Sequence, residues 1–284
     1  FQEYKYIKNP ETTENSHLEL SIKKRSIEEY GILSKYFSNI FLVDRLTETR
    51  VQRGFTRSKP FEEGSDNKMI QQLTTDNSIR WLPATVVKGE GIFFEFNLKT
   101  IEEWEKKFNF KHLNEIKKKY DELRKQRSLN EEKIIRNKFF LIHTFAHLVV
   151  NQLSYSCGYG SSSLRERVYC NEKSDENEMH GVLIYTASGD SEGSLGGLVR
   201  EGEPQNLVKI IKKMLHKANV CSYDPVCLDH KSQGLNGTNA SACHACSFLS
   251  ETSCEQSNQL LDRTTIIGDT KYNSIGYFQD LIED

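Results

Sequence analysis

Residues 221–254 read CSYDPVCLDHKSQGLNGTNASACHACSFLSETSC, with the spacing Cys221-x5-Cys227-x15-Cys243-x2-Cys246-x7-Cys254. Two thiolates three residues apart, as in CHAC, can grip one zinc ion from a tight turn, and a second pair closes the tetrahedron. Four protein ligands leave no open position, so such a site is structural. A redox Cys-x2-Cys expects a thioredoxin-like context, which this stretch lacks. Five cysteines compete for four places, and His244, inside the knuckle, is not expected to be a ligand. The other two of the chain's seven cysteines lie elsewhere. The opening residues show no charged start followed by an apolar core, which favours metal over disulfides.

Upstream of the cysteines, Leu207, Val208, Ile211, Met214, Leu215 and Ala218 recur at helical spacing, with Pro204 suited to the first turn. Before them, VLIYTA at 182–187 reads as a short strand covered on both faces. It runs into a glycine loop carrying Asp190 and Glu192. That loop lacks the Gly-Lys-Ser/Thr ending of a Walker A loop, so ATP hydrolysis by this chain is not expected. LRERVY at 164–169, after Ser161–Ser163, reads as a capped helix. Residues 131–155 are apolar almost all round, as in a buried helix. His143 and His147 share one face of it, four residues apart, and Asn151 continues the stripe. Zinc hydrolases use this spacing with a glutamate after the first histidine, where this chain has Thr144. A buried polar stripe bonded to nearby backbone is the expected state.

The shift from charged to apolar near residue 130 suggests an N-terminal α+β region, 1–130, and a zinc-binding α/β domain, 131–284. In the first region, 100–127 reads as one amphipathic helix. Residues 84–96, ATVVKGEGIFFEF, read as a hairpin turning at Gly89-Glu90-Gly91. Residues 57–80 read as a loop and 40–53 as an amphipathic helix. The first 38 residues suggest a strand at Tyr4, Tyr6 and Ile7 followed by helix. The expected fold class is mixed α/β, helix-rich, with a small sheet and a C-terminal cysteine-ligated zinc module.

The 284 residues carry a formal net charge of −2, so the chain as a whole is not a polybasic nucleic-acid binder. DNA contact would need a local patch: Lys117, Lys118, Lys119, Arg124, Lys125 and Arg127 on one helix, or Lys209, Lys212, Lys213 and Lys217 on another. Both are also what a solvated helix face shows. The longest apolar run, 139–150, is broken by His143, Thr144 and His147, and no stretch approaches the roughly 20 residues that span a bilayer. No Ser-His-Asp order, kinase set, helicase motif or nuclease motif is visible.

Taken together, HTFAHLVVNQLSYSCGYGSSSLRERVY, GVLIYTASGDSEGSLGGLV, CSYDPVC, ACHACSFLSETSCE and NQLLDR resemble the DrmB family. VDRLTETRVQRGFTR and WLPATVVKGEGIFFEF extend the resemblance to roughly residues 40–268. That resemblance implies a zinc-binding domain related to one found C-terminal to DEAD/DEAH-box helicases. It also implies a place in the DISARM anti-phage systems, where DrmB partners a DrmA helicase subunit. The expectations that follow are a cytoplasmic, non-catalytic subunit that assists a helicase in engaging DNA, and a chain that begins at Phe1 because it is the C-terminal part of something longer. Aligning ACHAC with the family's terminal pair implies zinc ligation by Cys221, Cys227, Cys243 and Cys246. The rivals are a metal-dependent nuclease or phosphodiesterase using His143, His147, Asp190 and Glu192, and a purely structural scaffold.

Overall fold

Three apolar runs, at 40–43, 91–96 and 182–185, lie side by side in one antiparallel sheet. A computed structural model describes residues 1–9, 19–55, 71–73, 78, 81–126, 135–160, 162–171, 178–186, 197–230, 232–269 and 273–283. The five strands are β1 (Leu20–Lys24), β2 (Phe37–Val51), β5 (Ala84–Phe96), β6 (Leu164–Cys170) and β7 (His180–Thr186), in the order β1-β2-β5-β7-β6. A two-stranded ribbon pairs β3 (Gly54–Phe55) with β4 (Gln71–Gln72). Both broad faces of the sheet are covered. Ile40, Leu42, Ile92, Phe94, Val182 and Ile184 face one core. Phe41, Val43, Phe93, Leu183 and Tyr185 face the other. Period-2 alternation thus sends apolar side chains both ways, so the strands read as continuous apolar runs.

The larger core is built on α4 (Asn137–Cys157), whose residues 138–150 are all buried. Gly158 ends this helix in the left-handed region at φ 74°. Against it pack α6 (Pro204–Ala218), α8 (Thr264–Ile267) and the strands β6 and β7. Pro204 occupies the first turn of α6, as its sequence suggests. The smaller core is closed by α1 (Gln2–Lys8), through Tyr4 and Ile7. Tyr4 Oη donates to Glu95 Oε1 at 3.0 Å, which seats α1 on the sheet.

Several sequence expectations are corrected here. Tyr4 and Ile7, expected in a strand, lie on one face of a helix. Of residues 40–53, expected to be helical, 40–51 belong to strand β2, because Phe41 and Val43 are as well buried on one face as Ile40 and Leu42 on the other. The expected hairpin at 84–96 is a single strand, and its partners are β2 and β7 rather than itself. Its glycines are not turn residues. A Cβ at Gly89 would sit 2.2 Å from the Thr186 carbonyl oxygen, and one at Gly91 would sit 2.9 Å from that of Ile184. Gly89→Ala is therefore expected to lower the unfolding free energy by about 1–3 kcal/mol in urea denaturation. Glu90 between them is buried, and its carboxylate accepts from the Leu198 and Val199 amides at 2.9 and 3.2 Å. It caps the short helix α5 (Gly197–Gly202).

The expected helix 100–127 is two helices, α2 (Leu98–Glu105) and α3 (Lys111–Gln126). Asn97 caps the first through the Lys99 amide. At the break, Phe108 and Phe110 turn in to meet Trp104 at 5.1 and 5.5 Å between centroids. Asn109 accepts from the Lys111 amide and so starts the second helix. LRERVY, expected to be helical, is strand β6. Leu164 and Val168 pack toward α4, and Tyr169 belongs to the opposite core. Strands from before and after residue 130 share this one sheet through β5 and β7, where Gly91 pairs with Tyr185. The two expected units, 1–130 and 131–284, thus have a core in common.

Candidate metal centre

Cys221 leaves the end of α6 in a tight turn, with its amide donating to Asp224 Oδ2 at 2.8 Å. Cys227 sits in α7 (Val226–Asp229). The CHAC turn closes with the Ser247 amide donating to the Cys243 carbonyl at 2.9 Å. The long spacer between the pairs is folded, because Gln233 Nε2 donates to the Cys227 and Ala240 carbonyls at 2.7 and 2.9 Å. These turns bring the four sulfurs within 4.8 Å of one another. Cys221 Sγ is 3.5 Å from Cys243 Sγ, Cys227 Sγ is 3.8 Å from Cys246 Sγ, and Cys243 Sγ is 3.7 Å from Cys246 Sγ. Sulfurs about 2.3 Å from a tetrahedral zinc are about 3.8 Å apart, so the set has the size of a zinc cage.

The surroundings suit thiolates. The Tyr223 amide points at Cys221 Sγ and the Cys243 amide at Cys246 Sγ, at 3.5 and 3.4 Å. The hydrogen bond with Cys227 holds the Cys246 thiol below the usual range, with the Ser247 hydroxyl, the Cys243 amide and the Arg263 charge adding to the effect. The same bond, with burial, pushes Cys227 up. A cation would replace this shared proton and release it. Arg263 is fully buried beside the cluster. Its Nη1 donates to the Ala218 carbonyl at 2.9 Å and its Nη2 to Asp224 Oδ1 at 2.6 Å. Four thiolates and a divalent ion sum to −2, and this guanidinium supplies the nearby positive charge that a partly buried anion needs.

Residues 145–247 match the family model of the MrfA Zn-binding domain, a span that contains all four cysteines of the cage. The chain is also 40% identical over 260 residues to the DISARM protein DrmB of Bacillus paralicheniformis, across 87% of this chain and 44% of that protein. This chain belongs to the DrmB family. It spans less than half the length of this curated DrmB relative.

Within this DrmB-family chain, the other candidate residues fall in three places. His244 is exposed, with its ring against Phe248 at 4.8 Å between centroids, outside the cage. His143 and His147 are completely buried, and His147 Nδ1 does bond to backbone, at 2.7 Å from the Ser247 carbonyl. The same face of α4 also meets Glu166 and Cys254, two residues not grouped with the histidines by sequence reasoning. Period-2 reading of LRERVYC would have found Glu166, since it places that carboxylate inward with Leu164 and Val168. Asp190 and Glu192 lie outside the described residues.

The lysines divide. Lys209, Lys212, Lys213 and Lys217 of α6 are exposed, as are Lys118, Lys119 and Lys125 of α3. Lys117 is half-buried and bonds to Asn137. Arg124 lies over the Tyr120 ring. Arg127 is outside the described residues. No described helix is long and apolar enough to cross a membrane.

Proposed function

We propose that this chain is the zinc-bearing part of a DISARM anti-phage defence subunit that works in the cytoplasm beside a DrmA-like helicase and assists its engagement of DNA. The observation that carries this reading is the 40% identity to a DISARM protein DrmB across 87% of the chain. In this reading zinc is held by Cys221, Cys227, Cys243 and Cys246. A closed set of four sulfurs leaves no position for water or substrate, so the ion's contribution is to fold the chain between Cys221 and Cys246. The chain's own part is to present a surface. The rival hydrolase needs His143 and His147 to reach a substrate, and both rings are sealed from solvent.

DNA contact would be electrostatic and indifferent to sequence, made through the exposed lysine row of α6. Removing one lysine–phosphate pair should lower the steepness of the salt dependence of binding by about one unit. Reversing Lys209, Lys212 and Lys213 to glutamate is expected to weaken the helicase complex on every DNA sequence alike. The decisive experiment is co-purification with the helicase subunit, followed by DNA-binding and ATPase assays with and without this chain. Association and stronger DNA engagement are the expected results. A helicase that neither binds the chain nor changes its DNA affinity would overturn the proposal.

A further inference from the structure

Beyond the cysteine cage, a second set of metal-ligand atoms converges in the larger core. His143 Nε2, His147 Nε2, a Glu166 carboxylate oxygen and Cys254 Sγ all lie within 4.8 Å of one another. The residues are 0%, 0%, 1% and 6% exposed. His143 Nε2 is 2.8 Å from Glu166 Oε1 and 3.2 Å from Cys254 Sγ, and His147 Nε2 is 3.3 Å from the same Oε1. Ligands about 2.0–2.3 Å from a tetrahedral zinc stand roughly 3.3–3.6 Å apart. We propose that His143, His147, Glu166 and Cys254 form a second, structural zinc site.

Protons alone serve this arrangement poorly. The Ser247 carbonyl can only accept, so the proton of a neutral His147 sits on Nδ1, which is 2.7 Å away. The lone pair on Nε2 then points at Glu166 Oε1, which is itself an acceptor. Glu166 Oε2 and His143 Nδ1 are also buried without a full hydrogen bond. A single divalent cation answers the four converging atoms together. Two neutral imidazoles, a carboxylate and a thiolate sum to −2, so the loaded site is neutral, as an apolar core requires. This differs from the cysteine cage, which needs Arg263.

The surroundings are those of a ligand shell. Hydrogen bonding of His147 Nδ1 to a carbonyl fixes the tautomer that frees Nε2 for a metal. Cys254 Sγ receives the Gln256 and Asn258 amides at 3.4 and 3.3 Å, as Cys221 and Cys246 receive theirs. Nitrogen and sulfur donors together suit zinc better than magnesium or calcium, which take oxygen. With all four ligands sealed, the ion holds α4, β6 and the turn at Cys254 together and does no chemistry on a substrate. Ser247 stands between the sites: its carbonyl accepts the His147 Nδ1 hydrogen bond, and its hydroxyl donates to Cys246 Sγ at 3.3 Å.

Zinc content per full chain, measured by elemental analysis, separates the sites. Cys254→Ser and Cys243→Ser should each contain one zinc fewer than wild type, and Cys254→Ser should keep the cysteine cage. A Cys254→Ser protein with undiminished zinc overturns the proposal. Should either variant fail to fold, an anomalous difference map from wild-type crystals at the zinc edge reads the same question. A peak among His143, His147, Glu166 and Cys254, besides the one among the four cysteines, supports the site. A map with density only at the cysteines refutes it and leaves the cage reading intact.

Discussion

Serine in place of Cys243 is expected to remove one zinc per chain and to unfold the cysteine module. Cys243 is the vertex that lies 3.5 Å from Cys221 and 3.7 Å from Cys246, so its loss opens two edges of the cage at once. Structural zinc contributes about 10–16 kcal/mol in isolated modules, comparable to the roughly 5–15 kcal/mol that stabilises a whole domain. The damage should spread, because the Ala240 amide bonds to the Leu261 carbonyl and the Arg263 amide to the Ser241 carbonyl. Limited proteolysis should cut between Cys221 and Cys246 in the variant and not in wild type, with a large fall in melting temperature. Unchanged zinc content and melting would remove Cys243 from the ligand set.

Arg263→Leu is expected to cost about 3 kcal/mol or more, near the lower end for breaking a buried ion pair, because Asp224 retains some exposure to water. The guanidinium reaches both the Ala218 carbonyl at the end of α6 and the Asp224 side chain that shapes the Cys221 turn. Leucine fills the space and leaves both acceptors without this donor. Arg263→Lys should fall between, since one ammonium cannot reproduce the two-pronged reach. Urea denaturation of the zinc-loaded protein reads both variants. A leucine variant within about 0.5 kcal/mol of wild type, the usual range for surface changes, would show that the pair is not what ties α6 to the cage.

The convergence of Cys221, Cys227, Cys243 and Cys246 was legible because cysteine spacing reflects metal geometry, and the aligned family pattern points to these four of the five. The buried helix around His143 was legible too, since thirteen consecutive buried positions leave no polar face to misread. The sheet was harder. In β2 and β5 both faces are covered, so apolar residues fall at every spacing and a helical period can be picked out of Leu42, Leu46 and Val51. Gly89-Glu90-Gly91 looked like a turn because the sequence does not show that Thr186 and Ile184 crowd those positions. In β6 the charges of Arg165, Glu166 and Arg167 hid a strand whose central carboxylate points inward. Cys254 could not be assigned by spacing alone, because its neighbours in space, His143 and Glu166, are roughly 90–110 residues away in the chain.

The central position of β5 also sets an order of events during synthesis. Its partner β2 precedes it, but Gly91 pairs with Tyr185 on the other side. At about 5–20 residues per second, β7 leaves the ribosome roughly 5–20 s after β5. Through that interval the nascent chain carries GIFFEF with one edge unpaired, and until α4 has been made it also lacks that helix beneath it. An unpaired apolar edge of this kind invites pairing with other chains. The cysteines are made later still, so metal capture can only lock a sheet that has already waited for its last strands. Yield in cells should therefore depend on chaperone supply as well as on zinc.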